Sequence, residues 1–471
     1  MKRMLLNAAV ALFVLMLILS WLFHSTGVIR NDLTRNIFIP ETLTMPLQVK
    51  AAYNGGKMFF RYRWPARQPY IYHDMLKYEG GKWERIGASI PGPQPQGIYE
   101  DRVTMLVDDG SVPEFEKYGG YITIGDRMRF FTNEATKNEV TAHPYLGKKK
   151  QKEVGKHLPQ TRSEINNWTS VVPEDQLVAQ RKGGYFLDLW HWRAHRSNPI
   201  DKADDQFVAE ARYGDGGKGV FFTNWDKAKK QPKLMLDPGQ AGRAALNWDD
   251  LIQRKLGFDD IYYLREDQAT PFDPNYAWKD GDTLPRRVLR SGEGSRADIS
   301  VVGKARWQDG YWDVTLVRAM DTGNPLDDKM FVDQRVYTVG FAVHRNATGS
   351  RWHYVSLPVR LGLNRAAEFT AVKFEGEMPK WDQAWFDVTL LYPGQVSWPL
   401  LNSDGHAGAV DIKQGVPVKY RHNEVQLAHY GVEMEFNDEI RRQWLYTLVA
   451  GVLLIVGFGI AINLVLVRKE R

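Results

Sequence analysis

Between residues 45 and 392 apolar and polar positions alternate with a period of two in many short runs, and turn residues separate those runs. Leu47–Tyr53 and Lys57–Trp64 flank Asn54-Gly-Gly56, which predicts a hairpin. Tyr78-Glu-Gly-Gly-Lys-Trp83 reads as a second tight turn, and Asp101–Val107 as a strand ending at the turn Asp108-Asp-Gly110. Val301–Trp307, a turn at Gln308-Asp-Gly310 and Trp312–Arg318 predict another hairpin. Val336–His344, Trp352–Val359 and Phe386–Tyr392 complete the set of strands. A helical period is visible only over Asn247–Leu256, a short helix with Asn247 as its cap. No internal repeat stands out. The pattern predicts an all-β immunoglobulin-like β-sandwich with long insertions. A sandwich domain of roughly 420 residues is large. Either one core is heavily decorated, the preferred reading, or residues 365–440 form a small accessory region.

Both ends of the chain break this pattern. Met4–Phe23 is apolar except for Asn7 and Ser20, and Leu445–Val467 is a second uncharged run that contains Gly451, Gly457 and Gly459. Each is long enough to cross a bilayer. Lys2 and Arg3 precede the first run, and Arg468, Lys469 and Arg471 follow the second. The positive-inside rule therefore assigns both tails to the cytoplasm, although Arg441 and Arg442 oppose this at the outer end of the second span. The predicted organisation is an anchor over 1–24, an extracytoplasmic domain over 25–443, a span over 444–467 and a cytoplasmic tail over 468–471. This corresponds to a bacterial inner-membrane protein with its main domain in the periplasm. A cleaved signal peptide is the alternative for the first run, but no small-x-small site follows it. The glycines of the second run would suit packing against another helix or a membrane subunit.

Composition narrows the chemistry. The 471 residues contain no cysteine, which excludes disulfides, thiolate metal sites, iron–sulfur ligation and thioether-linked haem. The net charge of +6 is spread along the chain without an arginine stripe interleaved with aromatics, so a nucleic-acid partner is not expected. There is no His-Glu-x-x-His, no Gly-x-Ser-x-Gly and no phosphate-binding glycine loop. Lys148–Lys156 is a basic run without periodicity and reads as a solvated loop.

The segment Asp188-Leu-Trp-His-Trp-Arg-Ala-His195 carries the most chemistry. Strand alternation puts Trp190 and Trp192 on one face and His191, Arg193 and His195 on the other. Such a strand can wall an apolar cavity while offering imidazoles and a cation to a flat anionic cofactor, or it can simply pack in a core. His191 and His195 have zinc-like spacing only on a helix, whereas the local pattern is a strand. Asp204 and Asp205 point to opposite faces of a strand, which favours structural roles over a shared acid/base or calcium site.

Asp188–Ala194 resembles the Trp-His-Trp-Lys-Ala core of the ethylbenzene dehydrogenase-type haem b-binding domain, with Arg193 in place of the lysine. Ala203-Asp-Asp205, Trp312–Arg318, Gly340-Phe-Ala-Val343 and the hairpin Val49–Trp64 resemble further segments of that family. The likeness extends over most of residues 45–365. It implies a β-sandwich related to DOMON and carbohydrate-binding modules, one non-covalent haem b, and electron transfer with an oxidoreductase or cytochrome partner. In the family's enzyme subunits a methionine and a lysine hold the iron. His353, in His353-Tyr-Val-Ser356, stands at the lysine position, and neutral imidazole is a common haem ligand. For the second ligand the resemblance points first to His73, then to Met105 and His191. It implies Trp190 and Trp192 as pocket walls and Arg193 and Arg351 as propionate partners. Two-haem relatives carry Cys-x-x-Cys-His where this chain reads Tyr118–Asp126, so no covalent haem is expected here.

Three functions follow from these readings. The first is a membrane-anchored haem b electron carrier. The second is a non-haem sandwich module or assembly subunit that recognises a carbohydrate or protein. The third, with the fewest signals, is an enzyme in its own right.

Overall fold

A computed structural model of the chain describes residues 2–24, 42–87, 98–122, 135–164, 167–290, 298–346, 353–392 and 433–468. The principal strands are β1 (Thr44–Tyr53), β2 (Lys57–Pro65), β3 (Arg102–Asp108), β4 (Leu187–Arg193), β5 (Asp204–Val208), β6 (Tyr311–Ala319), β7 (Val336–His344), β8 (His353–Ser356), β9 (Val359–Leu363), β10 (Phe369–Lys373) and β11 (Phe386–Leu391). Strands β6, β2 and β1 pair antiparallel as one layer. Strands β7, β3, β4 and β5 pair antiparallel as another. The layers are joined twice, through β10 and β9 and again through β11 and β8.

The inward faces of the two layers meet in an aromatic core. Phe60 meets Trp190 edge-on at 5.4 Å, Trp64 meets Trp192 at 5.9 Å, Trp192 meets Trp312 at 5.1 Å and Tyr62 meets Phe341 at 6.2 Å. All are buried. Each such aromatic contributes about 1.5–3 kcal/mol through burial, and edge-on contacts add to it. This is why the tryptophan-rich runs condense into one core.

Turn chemistry fixes the register. Asn54 Oδ1 accepts from the amides of Gly56 and Lys57, while Gly55 takes a φ of 85°. Asp309 and Gly310, at φ 52° and 82°, form the turn between Arg306–Gln308 and β6. The run Val301–Trp307 is not one strand. Ser300–Val301 and Arg306–Gln308 pair separately with β6, and Gly303 interrupts them with a φ of 61°. The run Trp352–Val359 is likewise divided between β8 and β9, because Pro358 offers no N–H to continue a ladder. The short helix is Trp248–Ile252, where Asn247 Oδ1 accepts from the amides of Asp249 and Asp250. It stops earlier than its sequence period suggests, since Arg254 adopts a φ of 55°.

The insertions close one end of the core. Met75–Glu79 and Lys82–Ile86 form a hairpin extended by Asp282–Pro285 and Leu246–Asn247, and Leu236, Tyr262 and Leu284 belong to the same buried cluster as the central aromatics. Strands β10 and β11 lie within the main layers, and 393–432 fall outside the described residues.

Two helices flank the β region, α1 (Lys2–His24) and α2 (Glu433–Arg468). Among the described residues one segment, Trp444–Leu464 of α2, is long and apolar enough to cross a membrane, and α1 contains a shorter apolar stretch, Val10–Leu19. Phe13 packs directly onto Gly451, where any side chain would collide with the ring, whereas Gly457 and Gly459 face open space. One of the three glycines in this segment therefore serves helix contact.

Candidate functional site

Strand β4 is buried on both faces, and the faces differ in chemistry. Trp190 and Trp192 point into the core between the layers. His191 and Arg193 point outward, together with Thr104 and Arg102 of β3, which stand directly opposite them. Arg102 in turn opposes His344 of β7, and His344 opposes His353 of β8. A single cross-strand row therefore reads Arg193, Arg102, His344, His353, with His191 one step along β4. All five side chains are buried.

The rings of His344 and His353 stack at 4.5 Å with an interplanar angle of 11°, and His191 stacks on His344 at 6.5 Å. Burial holds all three imidazoles neutral, and nearby cations add to the effect. His353 is pushed down to about 3, by burial and then by Lys156 and Arg102. His191 and His344 are also driven well below the usual histidine range, by burial first and then by Arg193 and His353 respectively. Arg193 Nη2 donates to His191 Nδ1 at 3.0 Å, which places the His191 proton on Nε2. Neither that Nε2 nor His344 Nδ1 has a hydrogen-bond partner among the described residues. A neutral imidazole binds a metal or a haem iron through a nitrogen lone pair, which the protonated Nε2 of His191 does not offer.

A second cluster lies where β3 begins. His73 Nδ1 is 3.6 Å from Glu100 Oε1, and its Nε2 is 3.5 Å from Asp74 Oδ2. The backbone amides of His195 and Arg196 donate to Glu100 Oε2 at 2.7 and 2.9 Å, and the Arg196 side chain pairs with Oε1. Burial opposes ionisation of Glu100, but Arg196 and Arg102 outweigh it and hold the carboxyl down to about 2. His195 lies beyond the end of β4, so it does not share the outer face with His191 and Arg193. Its Nδ1 is 2.9 Å from the Ile71 carbonyl, which can only accept, so Nε2 keeps the lone pair and has no partner among the described residues. Arg102 links the clusters, since its charge acts on both His73 and His353.

The structure brings His353, His191 and Arg193 to one face and sets His73 across Arg102 from them. It does not bring Met105, Trp190 or Trp192 to that face. Met105 points into the core, and its sulfur accepts from the Tyr62 hydroxyl at 3.3 Å. Arg351 lies outside the described residues. Asp204 and Asp205 do face opposite ways. Asp204 pairs with Arg193 on the outer face, and Asp205 meets Arg318 at 3.2 Å in the core. Asp188, Asp205 and Asp328 cluster closely enough to hold a cation, but Arg318 already fills that position, at 2.6, 3.2 and 3.2 Å respectively.

Sequence reasoning missed Arg102 and Glu100, and it placed His195 on the outer face and Lys156 in a solvated loop. Lys156, at the end of the basic run 148–156, is half-buried, and its charge reaches His344 and His353, so the run is not wholly a solvated loop. His344, the last residue of the predicted strand Val336–His344, is the ring against His353. The antiparallel return from Val336–His344 to His353 is the signal that pairs them. The segment Tyr118–Ile122 packs against this region, where the Tyr121 hydroxyl donates to the Val355 carbonyl at 3.0 Å. Gly120 lets that segment lie against Val355, because a side chain there would overlap it.

A family model for ethylbenzene dehydrogenase matches residues 22–356. The chain belongs to the ethylbenzene dehydrogenase family. A search of curated proteins finds no match. The match to the ethylbenzene dehydrogenase family includes every residue of both clusters and ends at Ser356, the last residue of β8. Membership makes the protein oxidoreductase-related. The segments of the family likeness (the Val49–Trp64 hairpin, the Trp-His-Trp strand, Trp312–Arg318 and Gly340–Val343) are all strands of the two β layers.

Proposed function

We propose that this protein is a membrane-anchored, extracytoplasmic haem b electron carrier that serves an oxidoreductase or cytochrome partner, built on a DOMON-type sandwich. The observation that carries the reading is the buried row Arg193, Arg102, His344, His353, which sets neutral imidazoles beside guanidinium groups. Those residues fit a haem, because His344 Nδ1 and the Nε–H groups of Arg102 and Arg193, none with a hydrogen-bond partner among the described residues, share one buried face with His353. Haem b supplies a one-electron couple when bound. His353 is the proposed iron ligand. His344 and His353 project side by side from adjacent strands. His73, outside the row, is proposed as the second residue that would hold the haem. The apolar segment Trp444–Leu464 and the basic residues at both chain ends support anchoring at the cytoplasmic membrane with both tails inside.

A second reading has its own support. Phe272 and Trp278 stack at 5.3 Å on an insertion, beside the exposed Tyr276, and such an aromatic surface suits a non-haem binding module.

The test is a visible spectrum of the detergent-purified full chain, oxidised and dithionite-reduced, with a pyridine haemochrome assay. The expected result is one haem b per chain, lost or spectrally altered in His353→Ala while the protein stays folded. An unaltered haem spectrum in that variant would overturn the ligand assignment. Absence of a Soret band after expression with ample haem would favour the binding module.

A further inference from the structure

We infer that Arg102 and Arg193 form a buried clamp for a dicarboxylate, and that in the haem reading, on which this identification rests, the clamp takes the two propionates. Arg102 and Arg193 are directly opposed across β3 and β4. Like charges in that relation repel at close range, so the pair is unfavourable unless an anion bridges it. Both side chains are nine-tenths or more buried, at 7% and 5% exposure. Water therefore does little to screen them.

The carboxylates nearby do not balance the cations. Arg102, Arg193, Arg196, Arg286 and Arg287 share only Asp74, Glu100 and Asp204 among the described residues. Arg193, Arg196 and Arg287 also crowd one phenyl ring, with guanidinium carbons 5.7, 5.2 and 5.8 Å from the Phe221 centroid. Glu100 is already engaged by Arg196 and two backbone amides, and it stands 3.6 Å from Arg102 Nε, too far for a hydrogen bond. The Nε atoms of Arg102 and Arg193 have no hydrogen-bond partner among the described residues. A guanidinium presents a fork of donors that matches a carboxylate. Arg102 and Arg193 keep unused Nε donors on one buried face, within a group of arginines that outnumbers its carboxylates by two among the described residues, and two carboxylates would complete that group. A monoanion would leave one charge uncompensated. The row continues into His344 and His353, so the clamp lies beside the proposed iron ligand.

The clamp can be tested with haem-free full chain in detergent, titrated with haemin and with haemin dimethyl ester, whose propionates carry no charge. Wild type is expected to bind haemin at least about tenfold more tightly than the ester, and Arg102→Gln should remove most of that preference while binding the ester as wild type does. Arg193→Gln should act in the same direction, and Arg102→Lys should recover part of the preference. Equal binding of haemin and ester by wild type, or an equal loss of both in Arg102→Gln, overturns the clamp. Failure of both porphyrins to bind means that the haem reading has failed. Succinate then decides the clamp by itself: thermal stabilisation of wild type that Arg102→Gln lacks supports a different dicarboxylate ligand, and no stabilisation of wild type overturns it.

Discussion

Strand β4 carries buried charge on both faces, and the faces differ in how that charge is bonded. On the inner side, Asp188 joins Asp205 and Asp328 around Arg318, which also donates to the Lys329 carbonyl at 3.0 Å and lies 4.7 Å over the Trp190 ring. Burial opposes the charge of Arg318, but Asp188, Asp205 and Asp328 outweigh it and raise its pKa. On the outer side the cations outnumber the carboxylates among the described residues. Burial and the Arg196 charge push the Arg102 pKa down to about 10, and that of Arg193 well below the usual range. On the inner face each of the three carboxylates meets the one guanidinium, and burial raises the pKa of Asp188 and Asp205, which lowers the negative charge left over. A face that keeps unused guanidinium donors, as the outer one does among the described residues, costs stability in the isolated protein and makes sense when something else completes it. The inner face therefore reads as structure and the outer face as a site.

Removing the central cation of each face should break this comparison if it is wrong. Arg318→Leu strands the buried carboxylates and should cost about 3–5 kcal/mol. Arg102→Gln in the haem-free protein relieves cross-strand repulsion and should change stability by less than about 1 kcal/mol. Urea denaturation monitored by tryptophan fluorescence measures both. Equal losses would mean that the outer row is as structural as the inner network. Trp190→Ala removes an aromatic that touches Phe60, Phe331 and Arg318, and should cost about 3–5 kcal/mol in the same assay. A near-neutral result would mean that the inner face of β4 borders a loosely packed space.

The contrast between the faces was half legible in the sequence. Period-two alternation separates Trp190 and Trp192 from His191 and Arg193, and Asp204 from Asp205, because side-chain direction along a strand is a local property. Turn residues such as Asn54-Gly-Gly56 and Asp309-Gly310 likewise announce their hairpins. Which strands become neighbours is a long-range matter. Arg102 meets Arg193 across about 90 intervening residues, and only strand pairing makes that like-charge contact visible. His195 continues the alternation of β4 on paper, yet it falls past the strand's end, where Glu100 fixes the backbone amides of His195 and Arg196. Lys156 sits in a run whose composition signals only solvent, and folding returns the run's last residue to the histidine row. Met105 has the right residue type at a plausible distance in sequence, but the pleat turns it into the core. One-residue differences in facing decide a site, and composition does not carry them.

The smallest effect tests whether the outer imidazoles are as dry as the row implies. His353 is held down to about 3 in the folded protein, and an unfolded histidine titrates near 6.5. Between those values the unfolded chain binds the extra proton, so acidification through that window favours unfolding. The contribution is fully present above about 6.5 and is lost as pH falls toward about 3. Groups such as Asp101, raised to about 7 mainly by burial, have the opposite slope in the same range, so the whole-protein profile mixes both signs. The difference between wild type and His353→Gln isolates the one ring. In the haem-free protein, the variant should gain on wild type by up to about 1.4 kcal/mol per pH unit as pH falls below about 6.5. Urea midpoints at pH 7, 6, 5 and 4 read that slope. Parallel profiles would mean that His353 titrates like an exposed histidine, and the outer face would then lose the dryness that sets it apart from solvent as the inner network is set apart.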